Sequence, residues 1–456
     1  MISLDQPLDL NDPQADEFLA GIQGNILKGH SRNFANHIFL EFGSDTSTIR
    51  TWIAEFARTR VVSALRQTQH TALWRQSSKR LNLTFVNFLL SYEGYQALGI
   101  PAAQIPVDTS GNYFQNGMKR PGTRPFNDPP VSAWQPEFQQ SIHALIILAN
   151  DDRALLAVET QALMQQLAPL VKRCWAEDGL RLTRQFPAQP QPVTVVHFGF
   201  KDGISDPETI LQDAEEQRAA RGWDQWDPAA PLNLLLSAEP GATDRYGSFM
   251  VFRKLEQDAQ AFEKQLAGLA AALGQPDIEL AAAMVVGRYR DGRPLLLPDQ
   301  IDGNNFNYKA SDPQGKTCPF QAHIRKNNPR GDTPLWPDRE RALRIARRGV
   351  SYGDRPDWVE NSELPPPSGG IGLLFQSFQA GLDQFAIQQE GDDSNDFVQQ
   401  GVGVDALNGR NGNPTPQHWP AGSAVSFTMA NFIRMLGGEY FFAPSMAFLY
   451  ALSEGE

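Results

Sequence analysis

Three short segments of this 456-residue sequence hold residue types that could act together on a substrate. The segment CPFQAHIRKNNPR (318–330) sets His323 beside Arg325, Lys326 and Arg330. A neutral imidazole is a good iron ligand, and the carboxylates of a haem need cationic or amide donors nearby, so this segment offers both. Its composition fits a basic surface loop with an incidental histidine equally well. GFKDG (199–203) places Asp202 in a glycine-flanked turn directly after an apolar stretch. A carboxylate there loses hydration and needs a partner or a reaction to serve, although Asp-Gly is also a common turn pair. RIARRGVSYG (344–353) gathers Arg344, Arg347 and Arg348. They cannot all point the same way, so one can reach a pocket while the others meet solvent or a helix end.

Other chemistries find less support. His37, His143 and His197 lie in apolar strand patterns and read as core residues. The two cysteines, Cys174 and Cys318, allow neither a disulfide framework nor a four-cysteine metal site, and Cys318 with His323 lacks the further ligands zinc needs. No phosphate loop or His-Glu-x-x-His segment is present. The net charge, 40 − 52 = −12, disfavours nucleic acid as a partner. No apolar run reaches the ~18 residues of a membrane span, and the acidic start MISLDQPLDLNDPQADEF lacks a secretory apolar core, so the expected location is the cytoplasm.

The elements that must position these residues follow from periodicity. After a polar arm over 1–20, period-two alternation predicts strands at Phe34–Phe42 (Ile38, Leu40 and Phe42 on one face) and at Leu81–Phe85, with a helix over Ser47–Arg60 between them. The stretch 104–137 is rich in Pro, Gly and Asn and reads as loop. SIHALIILA (141–149) is a strand, Arg153–Leu170 a helix, and VTVVHFGF (193–200) a strand closing the half. The second half repeats the plan. GSFMVFRKL (247–255) is a strand, Asp258 caps a helix burying Phe262, Leu266 and Leu269, 281–289 is a strand or helix end, and strands return at 372–380 and within 432–445. About four strands per half with helical crossovers predict an α+β fold of antiparallel sheet and helices, in two domains, 21–225 and 226–456. A ligand between such halves would be in a usual place.

The ordered set GFKDGIS, AHIRKNNPR, RRGVSYG, GLLF and GGEYFFAPS resembles the dye-decolorising peroxidase family, over roughly residues 20–450. The resemblance implies duplicated ferredoxin-like modules with haem b in the C-terminal half. It implies an enzyme that reduces hydrogen peroxide through a ferryl haem and oxidises organic donors such as dyes and phenolics. His323 matches the proximal iron ligand, Asp202 the distal acid and Arg347 the distal arginine. Leu373 and Phe375 match residues lining the distal face, and Arg253 and Arg325 match haem-contact positions. Two positions depart from the pattern of some members: Gly349 stands where they carry Asn, and Asn431 where they carry an Asp that orients the proximal imidazole. A carboxylate base held beside a permanent cation predicts an acidic optimum. Bulky donors that cannot pass Leu373 and Phe375 would deliver electrons through aromatic residues such as Trp336, Tyr352 or Trp358. The alternative is a haem-handling protein that needs His323 but not Asp202 and Arg347. Monomer and dimer both remain open.

Overall fold

The computed structural model describes residues 2–77, 83–120, 126–333, 337–359, 362–410, 415–420 and 422–454. Its first module runs β1 (Phe34–Phe42), α1 (Thr46–Thr59), β2 (Phe85–Leu90), β3 (Ala144–Asn150), α2 (Arg153–Leu167) and β4 (Val171–Leu180). Its second runs β5 (Tyr246–Gln257), α3 (Ala259–Ala272), α4 (Ile278–Val286), α5 (His323–Asn327), β6 (Val350–Tyr352), β7 (Gly372–Gln379), α6 (Asp383–Asp393) and β8 (Ile433–Ala443). In space the first four strands lie in the order β4-β1-β3-β2 and the last four in the order β8-β5-β7-β6. Both are the same antiparallel βαββαβ arrangement, fourth strand beside first and third beside second. The expected α+β duplication of ferredoxin-like modules is therefore present as topology.

The two modules do not keep separate sheets. Leu90 of β2 pairs with Phe442 of β8, and Leu180 of β4 pairs with Ser351 of β6. Among the described residues these seams close eight strands into one ring, with two-residue strands at Ser237–Ala238 and Ala346–Arg347 attached to it. Closure leaves no free edge in the ring. It also buries both faces of most strands, because helices cover the outside and side chains fill the inside. Hence β1, FANHIFLEF, is buried at every position but its first, with no polar alternation.

Inside the ring Phe39 meets Phe252 at 4.9 Å and stacks on Trp175 at 5.3 Å, joining β1, β5 and β4. A phenylalanine so buried is worth about 3–5 kcal/mol against alanine. Lys254 of β5 reaches Glu177 of β4 at 2.6 Å across the same interior. That pair explains why β4 was hidden in the sequence. VKRCWAEDGL exposes Lys172 and Arg173 and turns Glu177 inward, which breaks the apolar alternation. Conversely, the apolar run 193–200 is not the closing strand. Only Val193–Thr194 is a strand, paired with Thr183–Arg184 in a separate two-stranded sheet. The stretch is apolar because Val196, Phe198 and Phe200 line a cavity. The second predicted strand begins at Phe85, and Leu81 lies outside the described residues. Residues 278–286 are helical, and Asp258 caps α3 by accepting from Ala261 N at 2.8 Å, as expected.

Two histidines in this framework contribute to its loss of stability in acid. His37 accepts from the Gln376 amide inside the ring, and His197 Nε2 donates to the Tyr352 carbonyl at 2.8 Å. Burial pushes both imidazoles down from 6.5 to about 4. The unfolded chain therefore takes up protons that the fold refuses as pH falls from about 6.5 toward 4, and stability falls with it. Each site contributes on the order of 3 kcal/mol over that window. The melting temperature is expected to drop steeply between pH 6.5 and 4, and less steeply in His37→Gln. Equal melting temperatures at pH 7 and pH 4.5 would refute this account of the two histidines.

Candidate active site

The outer face of the second module forms the floor of a large cavity. Alternation on β5 points Arg253, Leu255 and Gln257 outward, and alternation on β7 points Leu373 and Phe375 the same way. Register sets Phe375 beside Arg253 and Leu373 beside Leu255. Helix α6 closes one wall with Phe385, Gln388, Gln389 and Asp392, which share one face at helical spacing. His323, at the start of α5, lines the cavity together with Asp202 and Arg347. The structure thus brings six of the seven residues singled out in the sequence to one space.

The acid and the arginine are in direct contact. The chain turns at Gly199 and Gly203, both at positive φ (84° and 79°). The turn lets Gly203 N donate to Asp202 Oδ1 at 2.7 Å. Arg347 lies on the two-residue strand Ala346–Arg347, paired with Ser377 of β7. Its Nη1 donates to Asp202 Oδ1 at 2.9 Å and its Nε to Asp206 Oδ1 at 3.2 Å. The Asp202 carboxylate raises the Arg347 guanidinium above its ordinary value despite partial desolvation, so the cation is permanent. Gly349 packs against β7, where a Cβ would stand 3.1 Å from the Leu374 carbonyl oxygen. An asparagine in its place would press on that strand.

The imidazole has a partner the sequence did not reveal. His323 Nδ1 is 2.8 Å from Asp405 Oδ2, and Asp405 also accepts from Leu407 N and Asn408 N at 2.7 Å each. Burial opposes protonation of His323, but the Asp405 carboxylate outweighs it and raises the imidazole above its ordinary value. With Nδ1 engaged, Nε2 is the nitrogen left for a ligand bond. Asn431 does not do this work. It is exposed, and its Oδ1 accepts from Ile433 N at 3.0 Å. Asp405 sits in GVGVDALNG, and a carboxylate within so apolar a run was the available signal.

Arg325 is the one sequence choice that does not reach the cavity. Its side chain is fully buried between Asp312 (3.0 Å) and Asp332 (2.5 Å), both of which neutralise it. Three other arginines do line the cavity. Arg288, Arg330 and Arg344 are buried, and none has a carboxylate partner among the described residues. They donate instead to neutral oxygens: Arg288 to Gly303 O (2.7 Å), Arg330 to the Asn304 amide, and Arg344 to Ala229 O (3.0 Å). Burial pushes Arg330 and Arg344 down to about 9 and Arg288 to about 10. All three remain cations at neutral pH and call for anionic groups in the cavity. Arg253 also lines it, tied to Asp128 and donating to Gln389 Oε1 at 2.8 Å.

Of the aromatic candidates, Tyr352 is buried and Trp336 lies outside the described residues. Trp358 is half-buried beneath two guanidinium groups, Arg355 at 4.1 Å and Arg184 at 5.5 Å. Two cations over the ring disfavour an indole that has lost an electron.

Residues 21–180 match the sequence model of the DyP dimeric alpha+beta barrel domain. Over 96% of this chain and 97% of its own length, the multifunctional dye peroxidase DyP2 of Amycolatopsis sp. is 35% identical. The chain belongs to the dye-decolorising peroxidase family. The crystal structure of a DyP-type peroxidase from Anabaena sp. superimposes with a TM-score of 0.89 at 35% identity, covering 99% of this chain and 100% of that one. A dye-decolorising peroxidase solved in complex with 2,6-dimethoxyphenol gives 0.74 at 25% identity, over 95% and 99%. This dye-decolorising peroxidase is accordingly an oxidoreductase acting on peroxide, and its family implies a haem cofactor. The cavity fits one. It has apolar walls, one imidazole with a free Nε2, and three buried guanidinium groups lacking carboxylates. No helix among the described residues is long and apolar enough to cross a membrane.

Proposed function

We propose that the cavity holds haem b and that the protein reduces hydrogen peroxide there while oxidising aromatic donors, dyes and phenolics. The observation that carries this is the shared cavity: a carboxylate-backed imidazole and an aspartate–arginine pair face the same apolar space. His323 Nε2 would bind the iron, and Arg288, Arg330 and Arg344 would meet the haem carboxylates. In this reading the module 21–225 contributes Asp202, and 226–456 contributes His323 and Arg347. The relative crystallised with 2,6-dimethoxyphenol supports phenolic donors. Two free cysteines suit a reducing compartment such as the cytoplasm.

The haem, when bound, supplies the redox iron at which peroxide is reduced and through which donor electrons are drawn. The protein's part is proton transfer and charge stabilisation. Asp202 takes the proton from one peroxide oxygen and returns it to the other as that oxygen leaves. It ends the sequence in its starting form. Arg347 holds the Asp202 carboxylate in place through its Nη1 bond and donates to the oxygen on which negative charge grows. Leu373 and Phe375 hold water and bulky donors off the reacting atoms, while Asp405 fixes the imidazole ring. A haem carrier would need His323 and Asp405 but would have no use for an ion pair between Asp202 and Arg347.

The absorption spectrum of the purified protein tests this reading. After loading with haemin it should show a strong Soret band that changes within seconds of adding one equivalent of peroxide. A protein that stays colourless with excess haemin, or a band indifferent to peroxide, would overturn it.

A further inference from the structure

We propose that Asp206 is a positioning residue for Arg347: it holds the guanidinium so that only one nitrogen reaches Asp202 and another is left for peroxide. This rests on the reading of Asp202 and Arg347 as the reacting pair. Asp206 does not line the cavity, so it acts through Arg347 rather than on substrate.

The geometry divides Arg347 among three tasks. Nη1 donates to Asp202 Oδ1 (2.9 Å) and Nε to Asp206 Oδ1 (3.2 Å). Nη2 has no hydrogen-bond partner among the described residues, while the side chain is 40% accessible and lines the cavity. A guanidinium facing a lone carboxylate prefers a two-point fork, with two parallel N–H···O bonds. Such a fork with Asp202 would occupy a second nitrogen of Arg347. It would also occupy the carboxylate oxygen that the reaction needs as a base. Asp206 works against the fork by engaging Nε from another direction.

Asp206 is itself anchored. Its Oδ2 lies 3.7 Å from Arg348 Nη1, and Arg348 is buried, with a 7% accessible side chain. Arg348 is fixed by three backbone carbonyls: Nε donates to Asn25 O (2.8 Å), Nη2 to Ile26 O (3.1 Å) and Nη1 to Arg347 O (2.9 Å). The line from the 25–26 backbone through Arg348 and Asp206 to Arg347 thus ties the reacting pair to the first module. Two adjacent arginines facing two aspartates four residues apart also balance in charge, which lets Arg348 stay buried beside Arg347.

The test uses haem-loaded protein and two readouts, the second-order rate constant with peroxide and the affinity of the ferric form for cyanide. The second reads the anion-stabilising nitrogen without turnover. Asp206→Ala should lower both by roughly 10- to 100-fold, as a misplaced group does, and leave the KM for a phenolic donor unchanged. Asp206→Asn keeps an oxygen that accepts from Nε and should recover most of the loss. If the alanine variant does not fold, Asp206→Ser, too short to reach Nε, takes its place with the same expectation. Both readouts within twofold of the parent, or equal losses in the alanine (or serine) and asparagine variants, would overturn the proposal. Arg347→Leu separates the two levels. If it lowers both readouts and Asp206→Ala does not, only the positioning role fails; if it changes neither, the reacting pair falls and this proposal with it.

Discussion

Replacing Arg347 with leucine is expected to slow the reaction with peroxide by about 10²–10³, because it removes a donor that acts where charge develops. That factor corresponds to roughly 2.7–4 kcal/mol of transition-state stabilisation. Asp202→Asn keeps the shape of the carboxylate but cannot accept a proton, so a loss of about 10²–10⁴ is expected. The two residues share one bond, Nη1 to Oδ1 at 2.9 Å, and act as a unit. The double variant should therefore fall far short of the product of the single losses. Stopped-flow mixing with peroxide measures all three. The Soret band before mixing should match the parent, since neither side chain is assigned to haem binding. Variants that react with peroxide at the parental rate would favour a haem carrier.

The second large effect is on the other side of the cavity. Titrating apoprotein with haemin should give an affinity about 10- to 100-fold weaker in Asp405→Asn, as expected when the group orienting a ligating imidazole is lost. His323→Ala should lose the Soret band of the parental complex altogether. An Asp405→Asn variant that binds haemin as tightly as the parent would remove Asp405 from the account. Asn431→Ala, at an exposed position whose side chain bonds Ile433 N instead, serves as the matched control and should bind normally.

What was legible in the sequence follows from how local each signal is. Asp202, His323 and Arg347 sit in short segments whose order along the chain is informative, and the cavity gathers all three. Leu373 and Phe375 were legible as neighbours because strand parity puts alternate residues on one face. Asp405 was not, since it meets His323 across 82 residues and only the fold joins them. The arginines show a different limit. Composition marks where cations are, but not which ones a buried carboxylate neutralises. Asp312 and Asp332 take Arg325 out of the cavity, while its segment neighbour Arg330 and Arg344 reach it, and Arg288 does so from a segment that held no obvious ligand. The fold class followed from periodicity, yet the run 193–200 misled because a cavity wall is as apolar as a buried strand. The closing strand was masked by the Glu177–Lys254 pair inside the ring.

The account's central claim is a bond between His323 Nε2 and iron. Diffraction from haem-loaded crystals at the iron absorption edge tests it directly. The prediction is a single strong anomalous peak at coordination distance from His323 Nε2, with Asp202 and Arg347 across the porphyrin plane from that ring. A peak elsewhere in the molecule, or a porphyrin whose iron is held by another side chain, would contradict it.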